Sequence, residues 1–179
     1  MKIMNIKDML QSAQKKGYGI GSFSPRNTFL IKYVLRAAEV KKSPVIVQIS
    51  ANEFKWFDLD SSEFGKRFYD LADEFTIPAA LHLDHTKDFE TIKEAIESGF
   101  TSVMIDASQK EFAENIRTTK EVVDYAHRRG VAVEAELGRI GTADKIETDS
   151  DELLYTDPDE AKEFVDRTGA DALAVSIGT

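Results

Sequence analysis

The sequence predicts an α/β fold built around a parallel sheet, and three observations predict it. Short apolar runs rich in β-branched residues alternate with charged, amphipathic segments along the whole chain. The runs are nearly continuous in their hydrophobicity, as strands covered on both faces require. Several of them end in acidic or other polar residues, the arrangement of α/β proteins that carry their chemistry at the ends of parallel strands. Strand followed by helix, repeated, gives parallel strands joined by right-handed crossovers.

Taken in order, the strands are expected at residues 18–23, 45–50, 79–85, 102–107, 131–137 and 171–177. Between them, Phe89, Ile92, Ala95 and Ile96 recur at helical spacing, as do Phe112, Ile116, Thr119, Val123 and Ala126. Each set turns one apolar helix face to the sheet. Asp157-Pro158-Asp159-Glu160 offers an N-cap, a proline at the first helical position and an acid at the third, and Gly169 is the expected stop. Gly99 and Gly130 likewise follow helical patterns and precede strands. No strand is followed by a Gly-x-Gly-x-x-Gly phosphate loop, and polar residues end many successive strands. Both features favour a (β/α)8 TIM barrel over a doubly wound sheet. Six strands are three-quarters of such a barrel, so residues 1–179 are expected to be one domain, incomplete at its C-terminus.

With 179 residues, 42% hydrophobic and 31% charged, the chain has enough apolar side chains for the core of one domain. A net charge of −9 and a pI near 4.9 argue against a nucleic-acid partner, which needs clustered Lys and Arg. An anionic substrate therefore needs a local positive centre. Cysteine is absent from the sequence, which excludes disulfides, thiolate metal sites and thiol nucleophiles in this chain. No apolar run approaches membrane-spanning length, and the N-terminus lacks a signal-peptide core. The expectation is a cytoplasmic protein without a membrane partner.

The richest stretch chemically is Leu81-His82-Leu83-Asp84-His85. Alternate residues of a strand share a face, so His82 and Asp84 point one way and His85 the other, unless the strand ends and twists at His85. A neutral imidazole at a strand end is a good Zn2+ ligand, and a neighbouring carboxylate can serve as acid or base beside the metal. The competing reading is a histidine that caps a loop and an aspartate that caps the next helix. His82, inside the strand, reads as a hydrogen-bonded core histidine. Asp106 closes the fourth expected strand, where an unpaired carboxylate needs a cation or donors; capping of the following turn by Asp106 or Ser108 is the alternative. Glu134 and Glu136 share one face of a strand otherwise made of Val, Ala and Leu, which requires a counter-charge or a raised pKa. His127 precedes Arg128 and Arg129 at a helix end, where positive side chains complement the dipole. The acidic stretch 147–152 reads as a solvated loop.

At these residues the chain resembles the class II, zinc-dependent ketose-bisphosphate aldolases. The matching motifs are Leu81 to His85, Gly99 to Ser108, Glu114-Asn115-Ile116 with Thr118-Thr119-Lys120, Val133 to Gly138, Tyr155 to Pro158 and Asp171 to Ala174. The resemblance implies a (β/α)8 barrel that reversibly cleaves a ketose 1,6-bisphosphate, of fructose or tagatose type, to dihydroxyacetone phosphate and an aldehyde. It implies Zn2+ as cofactor, with a monovalent cation as an optional second ion, and a phosphorylated sugar as the small-molecule partner. It makes Asp84 the catalytic acid/base, His85 the first zinc ligand, and Asp106 and Glu136 carboxylates of the metal site. Ser50, Ser24 and Gly178 become substrate contacts, and Glu134 stays unassigned in a supporting position.

Three departures accompany the resemblance. Phe23-Ser24, followed by Pro25-Arg26, stands where the family usually has Phe-Asn. The family's Asp-His-Gly is here Asp84-His85-Thr86, and its Gly-Gly pair after the fifth strand is Gly141-Thr142. The resemblance also puts two further zinc-binding histidines and the phosphate-binding segments beyond Thr179. Two other readings stand beside the aldolase: a non-catalytic sugar-phosphate-binding or oligomer-forming fragment, motivated by the missing ligands, and another barrel lyase or isomerase with Mg2+ on Asp106 and Glu136 without His85. An open barrel exposes edge strands, so a homo-oligomer is expected.

Overall fold

The structure is a computed structural model, and it describes residues 1–138 and 155–177. Seven strands, β1 (Lys2–Ile3), β2 (Gly21–Phe23), β3 (Val45–Ser50), β4 (Pro78–Thr86), β5 (Ser102–Ile105), β6 (Ala132–Leu137) and β7 (Ala172–Val175), form one sheet. All neighbours are parallel, in the order β2-β3-β4-β5-β6-β7, so each strand lies beside the next in sequence. That ordering is the arc of a (β/α)8 barrel, as the alternating pattern predicts, and not the strand reversal of a doubly wound sheet. The short β1 escaped the sequence reading because two residues carry no periodicity. It pairs with the beginning of β4, with Lys2 beside Pro78.

The alternation of side chains along the strands separates two layers. Val47, Ile49, Leu81, Leu83, Val103, Ile105 and Val133 face outward and are essentially removed from solvent, in one cluster with Phe64, Phe68, Ile92 and Phe100. The helices α2 (Ile31–Lys41), α4 (Ser61–Asp70), α5 (Phe89–Glu97) and α6 (Phe112–His127) supply that outer cover. Phe64 stacks on Phe100 with ring centroids 6.3 Å apart, and Phe54 meets both edge-on. Burying each such ring stabilises the fold by about 1.5–3 kcal/mol. Helices α4 and α5 approach so closely that a Cβ on Gly65 would lie 2.3 Å from the Ser98 carbonyl oxygen, which is why that helical position is glycine.

On the inner side, Ile46, Ala80 and Ala132 pack against Ile6 and Met9 of α1 (Ile6–Lys16). Asn5 starts α1 by accepting from the Asp8 N–H, and Gly17, at φ 69°, stops it. This helix closes the lower end of the arc, so the polar side chains higher on the inner face collect at the C-terminal end of the strands. The remaining helices, α3 (Ala51–Phe57) and α7 (Pro158–Thr168), follow β3 and precede β7. Asp157 caps α7 by accepting from Asp159 and Glu160 N–H groups, Pro158 is its first residue, and Gly169 ends it at φ 74°, as predicted. Gly99 and Gly130 also take positive φ, 89° and 72°, at their predicted stops.

Only β3 has the expected limits; β4 is longer by one residue at each end and β6 starts one residue later, and the larger differences lie at β2, β5 and β7. β2 begins at Gly21 and not at residue 18, because the Tyr18 N–H is drawn back to the Ala13 carbonyl at the end of α1. β5 stops at Ile105, and β7 covers Ala172–Val175 within the wider 171–177 window.

Candidate metal centre and active site

The site begins with a defect in β4. His85 has φ of 36°, in the left-handed region, and the register with β5 shifts between Leu83 and Thr86. In a regular strand His85 would face outward with Leu81 and Leu83; the turn instead brings its ring to the inner side, against β5 and β6. A residue with a Cβ in that conformation costs about 1–3 kcal/mol, and such strain concentrates at functional sites. The conditional twist in the sequence reading is therefore what occurs.

His85 Nδ1 lies 3.5 Å from Glu136 Oε2 and 3.7 Å from Asp106 Oδ2. One ligand atom from each of the three residues lies within 4.8 Å of the others. Donors about 2.1 Å from a shared tetrahedral ion stand roughly 3.4 Å apart, so the trio needs only a small contraction to hold one. Glu136 is 6% exposed, and its Oε2 is buried with no hydrogen-bond partner among the described residues. A buried carboxylate oxygen without a donor is costly unless a cation meets it. The residues present thus fit a metal ion on both geometry and donor chemistry.

The electrostatics follow from the same packing. Asp106 is held down to about 2, chiefly by the His85 ring, against burial and helped by Ser108, whose N–H and hydroxyl donate to Oδ1 at 3.2 and 2.7 Å. The two alternatives for Asp106 are therefore both true of one carboxylate: Oδ1 caps the turn while Oδ2 faces His85. His85 is raised to about 9, first by Asp106 and also by Asp84 and Glu136, against burial. Burial, then Asp106, pushes Glu136 up. Glu134 is raised to about 7 by burial and by Asp84.

Asp84 stands at the end of β4, in register with Ser50 of β3. Burial first, opposed by His85 and assisted by Glu53, raises its pKa. It does not cap the next helix: Asp88 does, accepting from the Thr91 N–H at 2.9 Å. Its Oδ2 accepts from Gln48 Nε2 at 2.8 Å. Ser50 lies beside it but is engaged in a capping box, accepting from the Glu53 N–H at 3.2 Å while its own N–H donates to Glu53 at 2.9 Å. Its hydroxyl proton is left to donate elsewhere.

His82 is the core histidine expected of it. It is 3% exposed, its Nδ1 lies 3.0 Å from Ser102 Oγ, and burial lowers its pKa to about 3. The other ring nitrogen, Nε2, lies 3.5 Å from Glu134 Oε2. Glu134 and Glu136 do share the inner face of β6, opposite Met104 and beside Ala172 and Ala174 of β7. His127 does more than complement a dipole: its Nε2 meets Asp171 Oδ2 at 2.8 Å, at the opposite end of the sheet from the trio.

Ser24, just beyond β2, lines an apolar groove of about 610 Å3 shared with Phe23, Leu30 and Tyr33. Gly178, Gly141-Thr142 and the acidic stretch 147–152 lie outside the described residues. Gln48 and Ser102 were missed by the sequence reading. The signal for Gln48 was present, since it lies two residues before Ser50 in an otherwise aliphatic strand and so shares its face.

Comparison with known proteins identifies the family and the fold. The family model for class-II fructose-bisphosphate aldolase matches residues 4–179. The fructose-bisphosphate aldolase of Thermus caldophilus is 44% identical over 173 residues, and that of Giardia intestinalis 46% over 182. The chain is covered to 96% and 100% in these matches but spans only 56% and 54% of the relatives' length. Among solved structures, the YdjI aldolase of Escherichia coli K12 superposes with a TM-score of 0.85 at 39% identity, over 98% of this chain and 61% of that one. A putative fructose-1,6-bisphosphate aldolase from Coccidioides immitis superposes with a TM-score of 0.81 at 35% identity, over 96% and 60%. Motif, fold and the histidine-carboxylate trio at the strand ends converge: the chain belongs to the class-II fructose-bisphosphate aldolase family.

Proposed function

We propose that this chain supplies the acid/base and part of the metal site of an aldolase that reversibly cleaves a ketose 1,6-bisphosphate to dihydroxyacetone phosphate and an aldehyde. The observation that carries the reading is the convergence of His85, Asp106 and the orphaned Glu136 Oε2 within 4.8 Å, beside Asp84. His85, Asp106 and Glu136 hold the ion, proposed to be Zn2+, which when bound draws electrons from the substrate ketone as a Lewis acid. Asp84 takes the proton from the hydroxyl at the bond being cleaved and returns it in the condensation direction. Its partial burial keeps it less acidic than a free carboxylate, closer to the proton affinity such a shuttle needs. Ser50, in register with Asp84, donates its hydroxyl to the substrate, and Ser24 and Gly178 are assigned as further contacts.

His85 lies within 3.7 Å of both carboxylates, which favours a site that includes it over Mg2+ held by the carboxylates alone. The proposal extends to a homo-oligomer, supported by the exposed Phe29, Tyr33 and Trp56. A cytoplasmic location belongs to the same reading; among the described residues no helix is long and apolar enough to cross a membrane.

The test is a coupled cleavage assay on the protein as its gene encodes it, with and without a chelator, followed by Zn2+ add-back and by borohydride with substrate. Activity that disappears with the chelator and returns with Zn2+, without a trapped adduct, is the expected result. A borohydride-trapped Schiff base, or no cleavage in the metal-loaded protein, refutes the reading.

A further inference from the structure

The inner face of β3 carries Gln48 two residues before Ser50, and nothing in the metal site or in the substrate contacts assigned so far uses it. Its side chain is bonded at both ends. Nε2 donates to Asp84 Oδ2 at 2.8 Å, reaching diagonally past His82, its register partner. Oε1 accepts from the Ser22 hydroxyl on β2, on the other side. We propose that Gln48 is a positioning residue for proton transfer at Asp84, with Ser22 tethering the far end of its amide; this rests on the acid/base role proposed above.

The physical argument concerns one torsion. A carboxylate at the end of a short side chain turns easily about its last bond, and an acid/base must be held within roughly 0.5 Å and 10–20° of the transfer geometry. The Gln48 amide anchors Oδ2, so Oδ1 is the oxygen that exchanges the proton. An amide can present either its oxygen or its NH2, and turned the wrong way it would set oxygen against carboxylate oxygen. The acceptor-only carboxylate of Asp84 selects the useful orientation, and the Ser22 hydroxyl, donating to Oε1, holds the other end of the amide in place. The three residues come from adjacent strands β2, β3 and β4, so the relay exists only because those strands are neighbours in this register. A polar side chain in a Val-Ile strand could serve stability alone, and the experiment separates that case.

In the metal-loaded protein as its gene encodes it, Gln48→Met is expected to lower kcat about 10- to 100-fold, with KM for the bisphosphate and bound metal within about twofold of the parent. Gln48→Glu keeps the shape but replaces the donor by an acceptor, and is expected to lose at least as much. Ser22→Ala, at an exposed position that folding tolerates, is expected to lose about threefold. The deciding measurement is the double variant: Gln48→Met added to Asp84→Asn is expected to cause no further loss, because a group that acts through Asp84 has nothing left to position. An unchanged kcat in Gln48→Met and Gln48→Glu overturns the assignment. So does a loss that persists undiminished in the Asp84→Asn background, or one confined to KM or metal content. A parent protein that fails to cleave substrate overturns the aldolase reading itself and this assignment with it, whereas an active parent with indifferent Gln48 variants overturns only the latter.

Discussion

Replacing Glu136 by glutamine tests the metal centre without removing volume. Glu136 is 6% exposed, its Oε2 has no donor among the described residues, and burial and Asp106 both resist its ionisation. An unsatisfied buried acceptor costs about 1–3 kcal/mol, a penalty that the neutral amide of Glu136→Gln relieves in part while giving up the attraction to the protonated His85 ring 3.5 Å away. The two effects oppose each other, so the metal-free variant is expected to lie within about 1 kcal/mol of the wild type. Metal separates the two proteins. A ligand at 100 times its Kd stabilises the native state by about 2.7 kcal/mol, which for a chain of this size raises Tm by roughly 5–11 °C. The wild type should show that rise on Zn2+ addition, and Glu136→Gln should lose most of it, because an amide oxygen carries no charge for the ion. Differential scanning calorimetry of both proteins, metal-free and with a Zn2+ titration, measures the four quantities. A variant that keeps the full metal-induced rise removes Glu136 from the ligand set. A metal-free variant destabilised by more than about 3 kcal/mol would mean that the carboxylate is a structural partner and not a waiting ligand.

Asp84→Asn should leave metal binding intact and lower kcat by about 10^2- to 10^4-fold, read by metal analysis and the cleavage assay together. His85 titrates near 9 in the metal-free protein, so binding must displace a proton from it at neutral pH. The apparent metal affinity should rise about tenfold per pH unit from pH 7 toward 9, and calorimetry in buffers of different ionisation enthalpy should register close to one proton released per ion; a flat profile above pH 7 would contradict the raised value. At the other end of the sheet, burial opposes ionisation of Asp171, but the Val133 N–H, Lys7 and His127 outweigh it and hold the carboxyl below 3.8. The stability this group contributes is thus present above pH 3.8 and is lost as the pH falls through its lower folded value. Asp171→Ala should cost about 1–3 kcal/mol at pH 7 by leaving the Val133 N–H unpaired, with a smaller difference in acid, as denaturant unfolding at pH 7 and pH 3 would show.

The elements that carry strong local patterns were legible without coordinates. Asp157-Pro158 and Gly169 bracket α7 because capping is settled within four residues of chain, and the alternation of apolar strands with amphipathic helices reduces to parallel strands joined by crossovers. The pairing of Glu134 and Glu136 on one face follows from the two-residue period of a strand alone. The limits of β2 and the existence of β1 were not legible, because both depend on which distant carbonyl a backbone N–H finds.

By itself the sequence determined the fold class, the succession of the six main strands, the family and the acidic and imidazole groups that crowd the strand ends, since these follow from composition, local period and motif. The resemblance grouped His85 with Asp106 and Glu136, but only the tertiary structure decided how they meet, because the left-handed turn at φ 36° overrides the alternation that would have sent the His85 ring outward. It alone decided that Asp106 serves a turn and the trio at once, and that Gln48 grips Asp84. Those facts depend on the register between neighbouring strands, where a shift of one residue reverses every side chain, and no pattern within a single strand specifies it.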